Sequence, residues 1–251
     1  MKNKKIKGKT QICAVHGTGA RSYQQDSFAY EGTDCNGGIF AVVADGMGGL
    51  VNSGEVSSAI VEKMIYEYTH KAYPNDMEQL LSLYGTAVES AAELTRDNNY
   101  KSGTTLCACL IRKAHISWIS SGDSRLYIWR GGAMIQLTRD HDLLRDLIPA
   151  CASGNMTYSD ALSNPRKDAL TSYIGSSTPK YIDFNDEPVP LLKGDKVVIM
   201  SDGVYRGLSL SDMASCLSKN AKKSADNIDA LIKKKNIATQ DNYTALIIEI
   251  K

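Results

Sequence analysis

Aspartates at the ends of apolar runs are the residues in this sequence best suited to chemistry. The three clearest cases are Asp45 after the run 39–44, Asp202 after the run 197–200, and Asp241 before the run 245–248. A buried strand that reaches the surface holds its terminal side chain rigidly, so carboxylates from distant parts of the chain can converge. Hard divalent cations prefer such oxygen ligands on fixed supports. The pattern predicts a metal-dependent enzyme with an all-carboxylate site.

The competing interpretation of each Asp-Gly dipeptide is a turn, because glycine tolerates a positive φ angle. Several Asp-Gly or Gly-Asp steps that each end an apolar run favour ligands over turns. Two Mg²⁺ or Mn²⁺ ions held close together can activate water and clamp a phosphoryl group. Arg21 could supply the two-pronged fork that a phosphate needs, although alone it would be a surface ion-pair residue. His141 is a candidate general acid or, alternatively, a structural histidine.

The length of 251 residues allows one large globular domain or two small ones. The chain is 43% hydrophobic and 23% charged with a net charge of +1, which argues against nucleic-acid and membrane partners. The cysteines are scattered without a C-x-x-C motif, and we expect them to be reduced. They are Cys13, Cys35, Cys107, Cys109, Cys151 and Cys216. With no apolar stretch of about 20 residues, the sequence favours a soluble, cytoplasmic protein.

Apolar periodicity places two helices after the first strands. Stripes over residues 56–68 and 77–95 recur at helical spacing and predict an antiparallel helix pair. Asn52 and Glu55 are spaced as a capping box at the start of the first helix. Before them, residues 11–44 contain two or three strands with a turn around residues 32–38.

The second half of the chain alternates between short strands and helices. The predicted strands are 104–111, 115–121, 125–130, 134–137, 196–200 and 243–250, and the predicted helices are 209–219 and 225–236. Gly122-Asp123 and Gly131-Gly132 are typical of hairpin turns. Residues 140–180 mix helical pieces with turn residues and predict an irregular or mobile segment. This order indicates an α+β fold with antiparallel sheets.

Taken in order, the motifs resemble the bacterial form of the metal-dependent protein phosphatase 2C family, also called the PPM family. The most specific matches are Val-Ala-Asp-Gly-Met-Gly-Gly at 43–49, Ser-Gly-Asp-Ser-Arg at 121–125, Ser-Asp-Gly at 201–203 and Asp-Asn at 241–242, with weaker ones at 137–141 and 170–175. The resemblance covers residues from about 10 to about 250 and implies a single catalytic domain over residues 1–251. It implies two antiparallel sheets packed as a sandwich, flanked by pairs of helices, with a flap segment at about 140–180.

The resemblance also implies an activity and a set of roles. The activity is that of a protein serine/threonine phosphatase, which hydrolyses phosphoserine and phosphothreonine by attack of a metal-bridging water. The implied cofactors are two Mn²⁺ or Mg²⁺ ions, with a third in bacterial members. The implied roles are Asp45 as the bridging ligand, the Gly46 carbonyl, Asp202 and Asp241 as further ligands, Asp123 as the ligand of the third ion, Asp26 as the support of the centre, and Arg21 as the phosphate ligand.

Departures from the family pattern qualify these roles. Gln24 stands where bacterial members usually have Asn, and the neutral Gln25 stands where animal members have Glu. Met47 occupies a position where animal members have a histidine, and methionine cannot transfer a proton. None of these changes removes a bridging carboxylate, so we expect activity.

Two other functions remain open at the sequence level. The first is a catalytically inactive module of the same fold that only binds phosphoproteins. The second is nucleotide binding by the glycines of 46–49, whose spacing does not fit a known phosphate loop. The partners expected of an active enzyme are phosphorylated proteins and an opposing serine/threonine kinase, with no nucleic acid and no membrane, and the protein is expected to be a monomer.

Overall fold

The computed structural model describes residues 10–32, 38–47, 52–96, 102–176 and 179–251. Its strands form two sheets, and every strand pairing among these residues is antiparallel. The first sheet consists, in spatial order, of β1 (Gln11–Gly17), β11 (Tyr243–Glu249), β10 (Lys196–Met200), β6 (Arg125–Arg130) and β7 (Ala133–Gln136). The second consists of β2 (Asp26–Glu31), β3 (Ile39–Asp45), β4 (Leu106–Arg112), β5 (His115–Ser121) and β8 (Asp183–Phe184), with β9 (Val189–Pro190) also paired to β5.

The helices cover the outer faces of the two sheets. They are α1 (Ser53–His70) and α2 (Asp76–Thr95) on the second sheet, and α6 (Leu210–Cys216) and α7 (Ala221–Lys235) on the first. Three short helices are α3 (Leu143–Ala152), α4 (Tyr158–Ser163) and α5 (Asp202–Tyr205). The result is a four-layer α-β-β-α arrangement, and the α+β sandwich predicted from the sequence is confirmed.

Central strands are buried on both faces, which explains why they appear as continuous apolar runs. On β3, Ala41 and Val43 face the opposite sheet, whereas Phe40 and Val42 face the helix pair α1–α2. Cys107 and Cys109 of β4 pack between the sheets, where they act as small apolar side chains. The apolar runs therefore end where the sandwich ends, and that edge is where the polar motifs emerge.

The predicted meander of hairpins is only partly correct. Lys113 and Ala114 have φ angles of 47° and 58° and form the β4–β5 turn, while Gly131 and Gly132, at 58° and 91°, form the β6–β7 turn. In contrast, Gly122-Asp123 links β5 of the second sheet to β6 of the first. It is a crossover between the sheets and not a hairpin, and it places Asp123 at the edge of the sandwich.

Other local predictions also differ from the structure. Asn52 has a φ angle of 58°, and its side chain makes no capping hydrogen bond, so the predicted capping box is wrong. Helix α7 begins at Ala221 and not at residue 225, because the Asn220 side chain accepts a hydrogen bond from Lys223 N and caps it there. In contrast, the helical pieces predicted within 140–180 are confirmed as α3 and α4. Most of the turn predicted at 32–38 lies outside the described residues.

Candidate metal centre at one end of the sandwich

Strand register brings the predicted carboxylates to one end of the sandwich. Asp26 begins β2 and Asp45 ends β3, and the two residues are direct partners across the antiparallel pair. In the other sheet, Asp202 follows the end of β10 and Asp241 precedes β11, and these two strands are also antiparallel neighbours. Antiparallel pairing thus places the end of one strand beside the start of its neighbour in each sheet.

Two glycines permit the close approach of these segments. A Cβ atom on Gly46 would lie 2.7 Å from the Gln25 carbonyl oxygen, and one on Gly203 would lie 1.9 Å from the Asn242 carbonyl oxygen. Neither glycine has a positive φ angle. The glycines after Asp45 and Asp202 are therefore required by backbone packing and not by turn geometry, which separates them from ordinary Asp-Gly turns.

A cavity of about 180 Å³ lies among the converging carboxylates. It is lined by Asp45, Asp123, Asp202 and Asp241, together with Met47, Thr105, Asp168, Leu170 and Arg206. Gly46 is next to Asp45, and its N–H donates to the Gln25 carbonyl at 3.1 Å. The structure thus gathers the predicted ligands Asp45, Asp123, Asp202 and Asp241 around one space.

Asp26 lies behind Asp45 and is held by hydroxyl groups of the other sheet. Its Oδ2 accepts hydrogen bonds from Ser201 Oγ at 2.8 Å and from Thr244 Oγ1 at 2.6 Å, and it is 4% exposed. Thr244 N in turn donates to Ser201 Oγ at 2.9 Å. Within the described ranges, no N–H or hydroxyl group donates to the buried Oδ1 of Asp26. Asp26 therefore joins the two sheets and keeps one oxygen on the side of Asp45.

Burial and the repulsion between neighbouring carboxylates raise the pKa values of Asp45 and Asp123. Burial raises the pKa of Asp45 well above its usual range, and the nearby charges of Asp26 and Asp202 raise it further. Burial and the charge of Asp202 raise the pKa of Asp123 to about 7. The donor atoms are all carboxylate or carbonyl oxygens, which suit a hard divalent cation. The residues present therefore fit Mg²⁺ or Mn²⁺.

The fit rests on donor chemistry and not on a preformed ligand shell. Among the described residues, no group of three or more Asp, Glu, His or Cys side chains is already arranged around one ion. Two arginines engage the carboxylates: Arg21 Nη2 lies 2.7 Å from Asp241 Oδ2, and Arg206 Nε lies 3.1 Å from Asp202 Oδ2. Both arginine side chains are about half-exposed, so these contacts are solvent-accessible ion pairs of modest strength.

Arg21 lines a second cavity next to the first. This cavity, of about 300 Å³, shares Asp202, Arg206 and Asp241 with the smaller one. The position of the Arg21 loop depends on buried Asn242, whose Oδ1 accepts from Gln25 N at 2.8 Å. Asn242 Nδ2 also donates to the carbonyls of Thr18 and Tyr23, at 2.8 and 3.0 Å. The asparagine of the Asp-Asn motif thus anchors the loop that carries the candidate phosphate ligand.

His141 is not part of either cavity lining. It is fully buried, and its Nδ1 accepts a hydrogen bond from Gly122 N at 3.2 Å. Burial and the charge of Arg145 lower its pKa to about 4, so the ring is neutral at neutral pH. These observations favour the structural interpretation of His141 over the general-acid one.

Several residues of the site were not singled out from the sequence. Asp168 reaches the cavity from the segment between α4 and β8 and has no distinguishing motif. Arg206 contacts two of the predicted ligands, and its only sequence signal is its position four residues after Asp202. Thr105 holds the Asp45 backbone, with its Oγ1 accepting from Asp45 N at 3.0 Å and its N–H donating to Asp45 O at 2.8 Å.

Comparisons with known proteins agree with this architecture. The family model described as Protein phosphatase 2C matches residues 18–235. A serine/threonine phosphatase stp of Listeria innocua is 28% identical over 231 residues, covering 85% of this chain and 88% of that protein. The solved serine/threonine phosphatase of S. agalactiae is 27% identical with a TM-score of 0.80, covering 97% of this chain and 100% of the other.

A further solved structure shares the fold at lower identity. The catalytic domain of the serine threonine protein phosphatase PstP, solved in complex with two manganese ions, is 21% identical with a TM-score of 0.75. The comparison covers 96% of this chain and 99% of that one. The family model spans most of the chain, and the relatives are covered nearly in full. This chain belongs to the bacterial branch of the metal-dependent protein phosphatase 2C family.

Proposed function

We propose that this protein is a Mn²⁺- or Mg²⁺-dependent protein serine/threonine phosphatase. The observation that carries the proposal is the convergence of Asp45, Asp202 and Asp241 from two sheets on one cavity, with Asp26 behind them. Relatives named as serine/threonine phosphatases support the same reaction. The inactive phosphoprotein-binding alternative has no support, because the bridging and flanking carboxylates are all present.

Each residue has a distinct task in this proposal. Asp45, the Gly46 carbonyl, Asp202 and Asp241 would hold two ions, and Asp26 would fix the position of Asp45. When bound, such ions lower the pKa of water toward neutrality and neutralise charge on a phosphoryl group. Arg21 would bind the phosphate dianion through its planar fork, for which it must leave Asp241.

Substrates, partners and location are part of the same proposal. The substrates would be proteins phosphorylated on serine or threonine by an opposing kinase, and the enzyme would act as a single-domain monomer in the cytoplasm. Among the described cysteines, Cys13, Cys107, Cys109, Cys151 and Cys216 form no disulfide, which is consistent with a reducing compartment. Cys35 lies outside the described residues. Among those residues, no helix has the length and apolar character needed to cross a membrane.

Hydrolysis of p-nitrophenyl phosphate and of a phosphothreonine peptide tests the proposal. Wild type and Asp45→Asn would each be assayed with Mn²⁺, with Mg²⁺ and with EDTA. The matched control is Asp226→Asn, which removes an exposed carboxylate on α7 that pairs with Lys222. We expect metal-dependent turnover in wild type and in the control, and none in Asp45→Asn. A folded wild type without turnover under any metal condition would overturn the proposal.

A further inference from the structure

The Arg206 guanidinium lies between two of the predicted metal ligands. Its Nε is 3.1 Å from Asp202 Oδ2, and its Nη2 is 3.4 Å from Asp123 Oδ2. Different nitrogens of one planar group therefore reach carboxylates from two distant segments, α5 and the connection between β5 and β6. The arginine side chain is 51% exposed, while the carboxylates it bridges are 18% and 9% exposed. The half-exposed Arg206 guanidinium thus covers two largely buried carboxylates.

Helix α5 determines this position. Arg206 is four residues after Asp202, and its backbone N–H donates to the Asp202 carbonyl at 2.9 Å, so the two side chains share a face. The Asp123 carboxylate reaches that face from the crossover between β5 and β6. The contact therefore follows from one helical turn together with one sheet-to-sheet connection.

Asp123 is further enclosed by neighbours of Arg206. Tyr205 Oη donates to Asp123 Oδ2 at 3.0 Å and lies 3.1 Å from the Asp123 carbonyl oxygen. Arg125 stacks on the Tyr205 ring at 3.7 Å and binds the Asp140 carboxylate through Nε and Nη2. The oxygen of Asp123 that faces Arg206 thus already has a hydroxyl donor and a guanidinium, with a second guanidinium behind the ring.

We propose that Arg206 is the built-in cation of Asp123, so that this chain binds two divalent ions in its centre and not three. The inference rests on the proposed function, which places two ions among Asp45, Asp202 and Asp241. A guanidinium is charged at every relevant pH and is tethered beside its carboxylates, whereas a free ion must compete from solution. An ion at Asp123 would also have to displace Arg206 from two contacts or remain close to its charge.

This inference corrects the third ion that the family resemblance implies. The resemblance assigns Asp123 to a third ion, but it takes no account of residue 206. Arg206 also lines both cavities of the site, so its charge remains beside the space that a phosphate would enter. The Arg206 side chain would thus supply the positive charge that a third metal ion from solution would otherwise provide.

Counting bound ions tests the inference without measuring activity. Mn²⁺ would be titrated into the metal-stripped full chain, and free Mn²⁺ would be followed by its electron paramagnetic resonance signal. We expect wild type to saturate at two ions per chain. Arg206→Gln, which keeps a polar side chain but removes the charge, should bind a third ion at Mn²⁺ concentrations at least about tenfold below any at which wild type takes one up. Arg206→Lys is the matched control and should remain at two ions.

A double variant locates the additional ion. Adding Asp123→Asn to Arg206→Gln should return the count to two, because the ligand of the third ion is then lost. Three ions in wild type, or an unchanged count in Arg206→Gln, would overturn the inference and leave the proposed function intact. A wild type that binds no ion would instead overturn the proposed function. A count of three in wild type overturns the inference whatever the variants do, and circular dichroism would establish that each variant is folded before its ions are counted.

Discussion

Two carboxylates, the buried Glu67 between helices α1 and α2 and the partly buried Asp45 at the end of the sandwich, have opposite environments. Glu67 is 4% exposed and accepts hydrogen bonds from the hydroxyls of Tyr73, Ser82 and Thr86, with Lys71 Nζ at 3.3 Å. Although burial works against its charge, the hydrogen bonds lower its pKa to about 2. Side chains of the protein itself thus provide the hydrogen-bond donors and the positive charge that the Glu67 carboxylate needs.

Asp45 instead faces other carboxylates. Burial and the charges of Asp26 and Asp202 raise its pKa, and the hydroxyl donors in the region are directed to Asp26. The comparison teaches that burial alone does not assign a role to a carboxylate. Hydroxyl donors and one lysine around Glu67 indicate a residue that stabilises the fold. Carboxylate neighbours around Asp45 indicate instead a site suited to binding a cation.

The largest effect expected from this comparison is on activity. Asp45→Asn should reduce metal-dependent turnover by about 10³-fold or more, because the bridging charge is removed. In EDTA its free energy of unfolding should stay within about 1 kcal/mol of wild type, since the amide relieves repulsion and can donate to Asp26. Steady-state kinetics and urea denaturation would measure the two quantities. A large loss of stability with retained turnover would reverse the roles assigned here.

The opposite result is expected for the helix pair. Glu67→Gln should lower the free energy of unfolding by about 2–3 kcal/mol, because it weakens charge-assisted hydrogen bonds in a buried place. Turnover at 25 °C should not change. Glu62→Gln on the exposed side of α1 is the control and should shift stability by less than about 0.5 kcal/mol. Equal stability losses in the two variants would show that the hydroxyl network is unimportant.

The same carboxylate predicts a specific pH dependence. The pKa of Glu67 falls from 4.5 to about 2 on folding, so its stabilising contribution is complete above pH 4.5 and is lost as pH falls toward 2. The shift corresponds to about 3 kcal/mol. The stability difference between wild type and Glu67→Gln should therefore shrink across this window in chemical denaturation. A difference that stays constant from pH 6 to pH 2 would contradict the lowered pKa.

The smallest effect is expected at Arg21, the proposed phosphate ligand, which is ion-paired with Asp241 in the structure. Arg21→Ala should raise KM for a phosphothreonine peptide by about tenfold with a smaller change in kcat. Its pair with Asp241 is 47% and 38% exposed, so stability should change by less than about 0.5 kcal/mol. Arg21→Lys should recover part of the affinity, because lysine keeps the charge but not the fork. An unchanged KM would remove Arg21 from the phosphate site.

Local patterns in the sequence determined much of this protein. Continuous apolar runs predicted the buried strands β3, β10 and β11, and helical stripes predicted α1 and α2 within a few residues. Aspartates at the ends of those runs predicted which carboxylates would meet. These features follow from periodicity and from side-chain chemistry within a few residues, which a single sequence shows directly.

The tertiary structure alone decided the contacts between distant segments. Asp26 and Ser201 are 175 residues apart and meet only because the two sheets pack. The crossover at Gly122, the burial of His141 and the hydroxyls around Glu67 likewise depend on which faces come together. Arg206 is the clearest case: its helical spacing from Asp202 can be read from the sequence, but its contact with Asp123 exists only after β5 and β6 enter different sheets.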